Sequence, residues 1–191
     1  MLQELEEYAH INHVPIMVPD GINYLTNYIK ENNVKNILEI GTAIAYSAIK
    51  MCLVDDDIKV TTIERNPDMI VKAKENIHKF NMEDRITIIE GDALEVEVTG
   101  SYDLIFIDAA KSQYINFFNK YSKLLKDSGT IITDNLNFHG LRENIDSIES
   151  KNLRSMMKKL NNYIDFLKDN KEYNTEFINI GDGIGITKRN D

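Results

Sequence analysis

Oxygen-bearing side chains follow two predicted strands in the second half of the chain. Asp108 ends the apolar run YDLIFID, Asp134 ends the run TIITD, and Asn135 follows directly. Because the carboxyl ends of parallel strands meet at one edge of a sheet, we expect these three side chains to lie close together. They would be helix caps or solvated loop groups in the simplest interpretation, but two carboxylates at neighbouring strand ends repel unless a cation separates them. The pattern predicts a divalent-cation site, for Mg²⁺ or alternatively Mn²⁺.

A lysine stands three residues beyond the first of these carboxylates. Lys111 could reach the same cavity, where a nearby metal ion and partial burial would both favour its neutral amine. A neutral amine can accept the proton of a substrate hydroxyl, so Lys111 is a candidate general base. An ordinary surface lysine is the equally weighted alternative.

The first predicted strand, NILEI, breaks at a glycine. Gly41 would let the backbone approach a ligand, and the helix that starts near Ala45 would point its positive end at that ligand. Glu64 ends the next strand, 23 residues after Gly41, where a carboxylate can accept hydrogen bonds from both ribose hydroxyls. Asp92, in GDAL after the third strand, could accept from an adenine amino group. The loop after the first strand lacks G-x-G-x-x-G, which disfavours a nicotinamide oxidoreductase. It favours a protein that binds S-adenosylmethionine.

Short β-rich runs alternate with longer stretches of helical apolar spacing. This alternation predicts an α/β fold with a mostly parallel sheet covered by helices on both faces. The chain ends differently, because TEFINI and IGITKR flank GDG, which predicts an antiparallel hairpin at the sheet edge. Predicted strands cover 36–40, 59–64, 86–90, 102–108 and 130–134, and predicted helices cover about 2–10, about 20–32, AYSAIKMCLV, PDMIVKAKENIHKF and SQYINFFNKYSKLLKD.

Composition limits the classes of protein that fit. The 191 residues are 42% hydrophobic and 28% charged, which suits a single domain over 1–191. No stretch approaches the roughly 18 apolar residues of a membrane span, and MLQELEEYAH is acidic where a signal peptide would be basic. We therefore expect no membrane association and a cytoplasmic location. Cys52 is the only cysteine, which excludes an internal disulfide, and the net charge of −9 argues against generalised affinity for nucleic acid.

Several segments together resemble the cation-dependent, catechol-type O-methyltransferases. The similarity is carried by ILEIGTAIAYSAIKM, TIERN, GDAL, FIDAAKSQYINFF, IITDN and GDGIGITK, and it covers nearly the whole chain. It implies a Rossmann-like class I S-adenosylmethionine-dependent methyltransferase fold with a seven-stranded, mostly parallel sheet of order 3-2-1-4-5-7-6.

The resemblance also implies which residues form the site. The cofactor would be bound by Glu39, Gly41, Ser47, Glu64, Asp92, Ala93 and Asp108. Asp108, Asp134 and Asn135 would hold the metal, and the catalytic residues would be Lys111 and Asp108. Ala45 stands where the family commonly has a second glycine, which predicts a tighter cofactor loop.

Within this family, LEEYAHINHVPIM, FIDAAKSQY and NFHG are most similar to the bacterial branch that methylates 5-hydroxyuridine at the tRNA wobble position to 5-methoxyuridine. A tRNA anticodon loop is then the expected partner, and a homodimer the expected assembly. Lys151, Arg154 and Lys158 share one face of a predicted amphipathic helix, and Arg142 could join them in binding phosphates. An ordinary solvated basic face is the equally weighted alternative.

Two other functions stay open. A small-molecule catechol or phenylpropanoid methyltransferase is favoured by the acidic net charge, and the metal chemistry would be the same. A non-catalytic S-adenosylmethionine-binding module is disfavoured, because it would have no need of a metal site beside the cofactor.

Overall fold

The computed structural model describes residues 1–137 and 149–190, and within them a seven-stranded sheet flanked by helices. The strands are β1 (Asn36–Ile40), β2 (Lys59–Glu64), β3 (Ile86–Glu90), β4 (Tyr102–Ile107), β5 (Leu125–Thr133), β6 (Tyr173–Ile178) and β7 (Ile184–Arg189). The helices are α1 (Leu2–Ile11), α2 (Pro19–Glu31), α3 (Tyr46–Cys52), α4 (Pro67–Lys79), α5 (Tyr114–Tyr121) and α6 (Lys151–Lys168).

The sheet has the order β3-β2-β1-β4-β5-β7-β6, which confirms the predicted topology. The first five strands pair in parallel, while β7 runs antiparallel to both β5 and β6. The predicted antiparallel hairpin at the sheet edge is therefore confirmed. Insertion of β7 next to β5 brings the β6–β7 loop to the edge at which the parallel strands end.

Helices cover both faces of the sheet, as predicted. Apolar residues from α1 to α4 pack in one core cluster with Ile37 and Phe106, and those of α5 and α6 pack in a second with Leu38 and Ile105. Alternate residues of β1 and β4 thus face opposite cores, and both kinds are fully buried. Burial on both faces explains why these strands have continuous apolar sequences.

One predicted helix was wrong at its C-terminal end. SQYINFFNKYSKLLKD has helical apolar spacing, but α5 ends at Tyr121, and a 3₁₀ turn, Ser122–Leu124, follows it. Strand β5 begins at Leu125 rather than near residue 130, and Leu125 pairs with Tyr102 across an irregular register. Leu125 joins the α5–α6 core from a strand instead of a helix, so tertiary packing overrode the local spacing.

Helix α6 forms where KNLRSMMKKL predicts it. Its N-cap Ser150 accepts a hydrogen bond from the Leu153 amide, and Met157, Leu160, Ile164 and Leu167 are buried on its apolar face. Across residues 1–137 and 149–190, none of the helices combines the length and apolarity that a membrane crossing requires.

Candidate active site

A cavity of about 580 Å³ lies at the carboxyl ends of the parallel strands. Its walls include the loops after β1, β2, β3, β4 and β5, together with residues 15–18 between α1 and α2. The predicted residues that line it are Gly41, Ser47, Glu64, Asp92, Ala93, Asp108, Lys111, Asp134 and Asn135. Residues spread over nearly 100 positions of sequence thus meet in one cavity, as the sheet topology requires.

The loop after β1 is strained and firmly tethered. Gly41, Ala43 and Ala45 have φ values of 103°, 45° and 64°, in the region that L-residues with a side chain rarely adopt. The Gly41 and Thr42 amides both donate to the Ile63 carbonyl of β2, at 3.1 and 3.2 Å. A glycine is required at position 41, because a Cβ there would lie 2.2 Å from the carbonyl oxygen of Asp108.

Glu64 is held ready to accept further hydrogen bonds from a ligand. Its Oε2 accepts from the Ala43 amide, and its Oε1 accepts from the Arg65 and Asn66 amides, all at 2.9 Å. These backbone donors fix the carboxylate at the cavity wall, and Oε2, which accepts a single hydrogen bond, keeps lone-pair capacity for a hydroxyl. The arrangement suits a sugar hydroxyl such as that of a ribose.

The loop after β3 presents Asp92 and Ala93 beside Glu64. Asp92 accepts from the Leu94 amide at 2.9 Å and from Arg65 Nη1 at 3.0 Å, and these hydrogen bonds lower the pKa of its carboxyl. Lys120 holds the loop from below, since its ammonium donates to the carbonyls of Ala93, Leu94 and Val96 at 3.0, 2.9 and 2.7 Å. The negative Asp92 is therefore available to an amino group such as that of adenine.

Asp108 and Asp134 lie together at the ends of β4 and β5. The Asp108 amide donates to Ile40 at 3.0 Å and the Asp134 amide to Ile107 at 3.1 Å, so backbone pairing sets both positions. Burial raises the pKa of each carboxyl, and the charge of Asp108 raises that of Asp134 further. Asp134 is only 1% exposed, and its Oδ1 has no hydrogen-bond partner. A buried, unpaired carboxylate oxygen beside a second carboxylate is a ready position for a cation.

Asn135 stands between these two carboxylates. Its amide nitrogen donates to Asp134 Oδ2 at 2.8 Å and to Asp108 Oδ1 at 3.3 Å. Rotation of the amide by half a turn would present its oxygen to the same point, which completes a set of three oxygen ligands. Among the residues that the structure describes, no group of three or more His, Cys, Asp or Glu side chains could hold a metal. The candidate site therefore has two carboxylates and one amide, a set that fits Mg²⁺ with water or substrate oxygens in the other positions.

Lys111 reaches the same end of the cavity. It begins a 3₁₀ turn, Lys111–Gln113, is half-buried, and lines the cavity. Its charge acts against the burial that raises the pKa of Asp108 and Asp134, so the ammonium lies within electrostatic range of both carboxyls. A lysine so placed can exchange a proton with a hydroxyl held between it and the carboxylates.

Comparison with known proteins shows the family to which this chain belongs. Residues 1–190 match the O-methyltransferase family. The chain belongs to that family. It is 27% identical to a putative caffeoyl-CoA O-methyltransferase of Arabidopsis thaliana over 97% of this chain and 82% of the plant protein.

Solved structures show the same fold. A putative caffeoyl-CoA O-methyltransferase from Staphylococcus aureus superposes with a TM-score of 0.94 and 45% identity, over 99% of this chain and 92% of that one. An SAH-bound methyltransferase from Podospora anserina superposes with a TM-score of 0.81 and 26% identity, over 89% of this chain and 78% of that one.

Two groups of predicted site residues do not line the cavity of this O-methyltransferase: Glu39, and the basic residues of α6. Glu39 does not line the cavity; it is fully buried beneath the loop, and its carboxyl accepts hydrogen bonds from Ser47 and Thr62. Glu39 therefore lies behind the cavity wall rather than on it. Of the basic residues, Lys151 and Lys158 are exposed on α6 and Arg154 is half-buried, whereas Arg142 lies outside the described residues.

Sequence reasoning missed a third carboxylate of the methyltransferase cavity. Asp182 lines it from the β6–β7 loop, and its charge helps raise the pKa of Asp108 and Asp134. The flanking glycines mark a tight turn in the sequence, but only the insertion of β7 beside β5 brings that turn to the end of the cavity where Asp108 and Asp134 lie. No local signal could have revealed this proximity.

Proposed function

We propose that this protein is an S-adenosylmethionine-dependent O-methyltransferase that uses a divalent cation, Mg²⁺ or Mn²⁺, and methylates 5-hydroxyuridine at the tRNA wobble position. The observation that carries the proposal is the junction of two chemistries in one cavity. One end offers the acceptors for an adenosine, and the other offers two buried carboxylates with an unpaired oxygen.

The adenosine end supports the cofactor assignment. Glu64 would accept from the ribose hydroxyls and Asp92 from the adenine amino group. Gly41 permits close backbone approach between these groups and Asp108. The SAH-bound form of the Podospora relative supports S-adenosylmethionine as the methyl donor.

The metal end supports transfer to a hydroxyl. Asp108, Asp134 and Asn135 would hold the cation, which would lower the pKa of an acceptor hydroxyl and fix it against the methyl carbon. Lys111 would accept the hydroxyl proton. The oxygen then forms a bond to the methyl carbon as the carbon–sulfur bond breaks, and the cofactor leaves as a neutral thioether.

The assignment of tRNA as the substrate rests on the basic face of α6. Tyr163 hydrogen-bonds to Thr133 at the end of β5 at 2.9 Å, and α6 packs against the turn that carries Lys111. The helix segment before Tyr163 therefore extends towards the cavity edge of the sheet. Lys151 and Lys158 stand on it, roughly 8 to 18 Å before Tyr163 along the helix axis. Local positive charge on a chain of net charge −9 suits phosphates beside an inserted base.

A small-molecule acceptor is the second candidate, favoured by the caffeoyl-CoA names of the relatives. A catechol, like 5-hydroxyuracil, offers a hydroxyl beside a second oxygen, so the metal end would accept either. The substrates differ in what lies outside the cavity: a tRNA presents many backbone phosphates to the α6 cations, a simple catechol presents none, and caffeoyl-CoA presents only those of its coenzyme A part.

Transfer of labelled methyl from S-adenosylmethionine separates the candidates. We would offer tRNA with 5-hydroxyuridine at the wobble position, the same tRNA with uridine, and a catechol such as caffeoyl-CoA. We expect label in the hydroxylated tRNA alone or in preference, and a loss of at least about tenfold in Lys151→Glu/Lys158→Glu. Lys168→Glu, at the other end of α6, is the matched control and should keep the activity. Label confined to the catechol would assign the small-molecule function instead.

A further inference from the structure

A buried network of hydroxyl groups lies beneath the cofactor loop. Glu39 on β1 and Thr62 on β2 are register partners in the parallel sheet, which puts their side chains on the same face. Both are 0% exposed. Thr62 Oγ1 donates to Glu39 Oε2 at 2.6 Å, and Ser47 donates to Glu39 Oε1, so each carboxyl oxygen has one hydroxyl partner.

The network reaches the cavity at two points. Thr42 Oγ1 lies 2.6 Å from Thr62 Oγ1, and either hydroxyl can be the donor of the hydrogen bond between them. Thr42 and Ser47 both line the cavity, whereas Glu39 and Thr62 do not. Thr62 therefore connects a loop residue at the ligand to a carboxyl that the ligand cannot touch.

The loop needs such support because of its backbone. Thr42 stands between Gly41 and Ala43, which both have positive φ values, and Ala45 has a third. Strained residues keep such conformations only where surrounding contacts hold them. Thr42 is 1% exposed, and its hydroxyl is hydrogen-bonded to that of Thr62. This contact adds to the two hydrogen bonds that the Gly41 and Thr42 amides donate to the Ile63 carbonyl.

The burial of the carboxyl makes the network costly to disturb. Desolvation raises the pKa of Glu39 to about 8, and the hydrogen bonds from Ser47 and Thr62 act in the opposite direction. Loss of either hydroxyl would leave one buried oxygen of the Glu39 carboxyl without a hydrogen-bond partner. An unsatisfied buried oxygen lowers stability by more than the net contribution of a single hydrogen bond.

We propose that Thr62 is a positioning residue for cofactor binding, which acts through Thr42 and Glu39 to hold the 41–45 loop and Ser47 in the shape that the methyl donor requires. This role rests on the proposed function only in that the ligand is S-adenosylmethionine. It is independent of which acceptor is methylated.

The test is the affinity of Thr62→Val for S-adenosylhomocysteine, measured by calorimetry on the folded protein. Valine keeps the shape of threonine and removes the hydroxyl. We expect the Kd to rise about tenfold or more, since two buried hydrogen bonds are lost. Thr62→Ser restores the hydroxyl and should return the Kd to within about threefold of the wild type. Thr61→Val is the matched control, because Thr61 is half-buried on the opposite face of the same strand, and it should bind like the wild type.

A purely structural role predicts another result. Thr62→Val would then unfold at lower urea concentration but bind S-adenosylhomocysteine within twofold of Thr61→Val, and the proposal would be wrong. Should Thr62→Val not fold, Thr42→Val removes the same threonine–threonine bond and must show the weaker binding, with rescue by Thr42→Ser. Failure of the wild type itself to bind S-adenosylhomocysteine would contradict the proposed function rather than the role of Thr62.

Discussion

The close approach of β1 to β4 at Gly41 gives a sharp prediction for Gly41→Ala. A Cβ at this position would lie 2.2 Å from the Asp108 carbonyl oxygen and 3.0 Å from its carbon, whereas real Cβ contacts below 3.0 Å essentially never occur. The strands would have to separate by about 1 Å at the point where the Asp108 amide donates to Ile40. The substitution therefore moves the backbone of a predicted metal ligand without changing any functional group.

The expected loss of stability has two parts. An alanine at φ 103° costs about 1–2 kcal/mol in backbone strain, and weakening the Asp108–Ile40 hydrogen bond costs about 1 kcal/mol more. We expect a total of about 2–3 kcal/mol, or roughly 4–12 °C in Tm for a chain of this size. Gly100→Ala is the matched control, since Gly100 has φ 114° but its added Cβ meets nothing closer than 3.4 Å. Any gain from restricting the unfolded chain is the same in both variants.

Urea denaturation and methyl transfer together test this prediction. Gly41→Ala should unfold at a lower urea concentration than Gly100→Ala, and its kcat should fall at least about 100-fold because a 1 Å misplacement disrupts the reacting geometry. Gly100→Ala should keep wild-type kcat. If the two variants lose equal stability and Gly41→Ala keeps kcat within threefold, the close approach does not position Asp108 and the reasoning is wrong.

Three further predictions concern the cofactor end, the buried carboxyl and the metal end. Lys120→Met removes three hydrogen bonds to the loop after β3, so it should lower stability by about 2–4 kcal/mol and weaken S-adenosylhomocysteine binding, while Lys123→Met, at an exposed site, should do neither in the same melts and titrations. The pKa of Glu39 is raised to about 8, so the folded state keeps a proton that the unfolded state loses. The free energy of unfolding should therefore fall between pH 5 and 8, by up to about 1.4 kcal/mol per pH unit. Glu39→Gln should flatten this decline when stability is measured by urea denaturation. Asp134→Asn should raise the Tm of metal-free protein, because it relieves a buried like-charge pair with Asp108. In the wild type, Mg²⁺ at a hundredfold excess over its Kd should add about 2.7 kcal/mol to the free energy of unfolding, and the variant should lack this gain. An equal gain in the variant and the wild type would contradict the metal site.

The sequence was most informative where short β-rich apolar runs occur. Strands β1, β2 and β3 have the predicted bounds, both in the continuously buried β1 and in the edge strand β3, which is mostly half-buried or exposed. The strand-end carboxylates Asp108 and Asp134 were predicted for the same reason, since the end of an apolar run marks the ligand-binding edge. The β5 boundary was missed because Leu124 and Leu125 fit helical spacing as well as a strand.

The remaining features depend on contacts between distant parts of the chain. Asp182 reaches the cavity only through the antiparallel insertion of β7, and Thr62 acquires its place from register pairing with Glu39. Glu39 was expected at the cofactor only through the family resemblance. Its direction is set by the pleat of β1, which turns it under the loop rather than into the cavity.

The measurement that tests the central claim most directly is the metal dependence of methyl transfer. Wild-type protein would be stripped with EDTA, dialysed, and assayed with labelled S-adenosylmethionine and tRNA carrying 5-hydroxyuridine, before and after addition of Mg²⁺ or Mn²⁺. We expect transfer to fall at least about 100-fold on stripping, to return fully with the cation, and to stay low in Asp134→Asn under every condition. Transfer that proceeds equally with and without the cation would contradict the assignment of Asp108, Asp134 and Asn135 as a catalytic metal site.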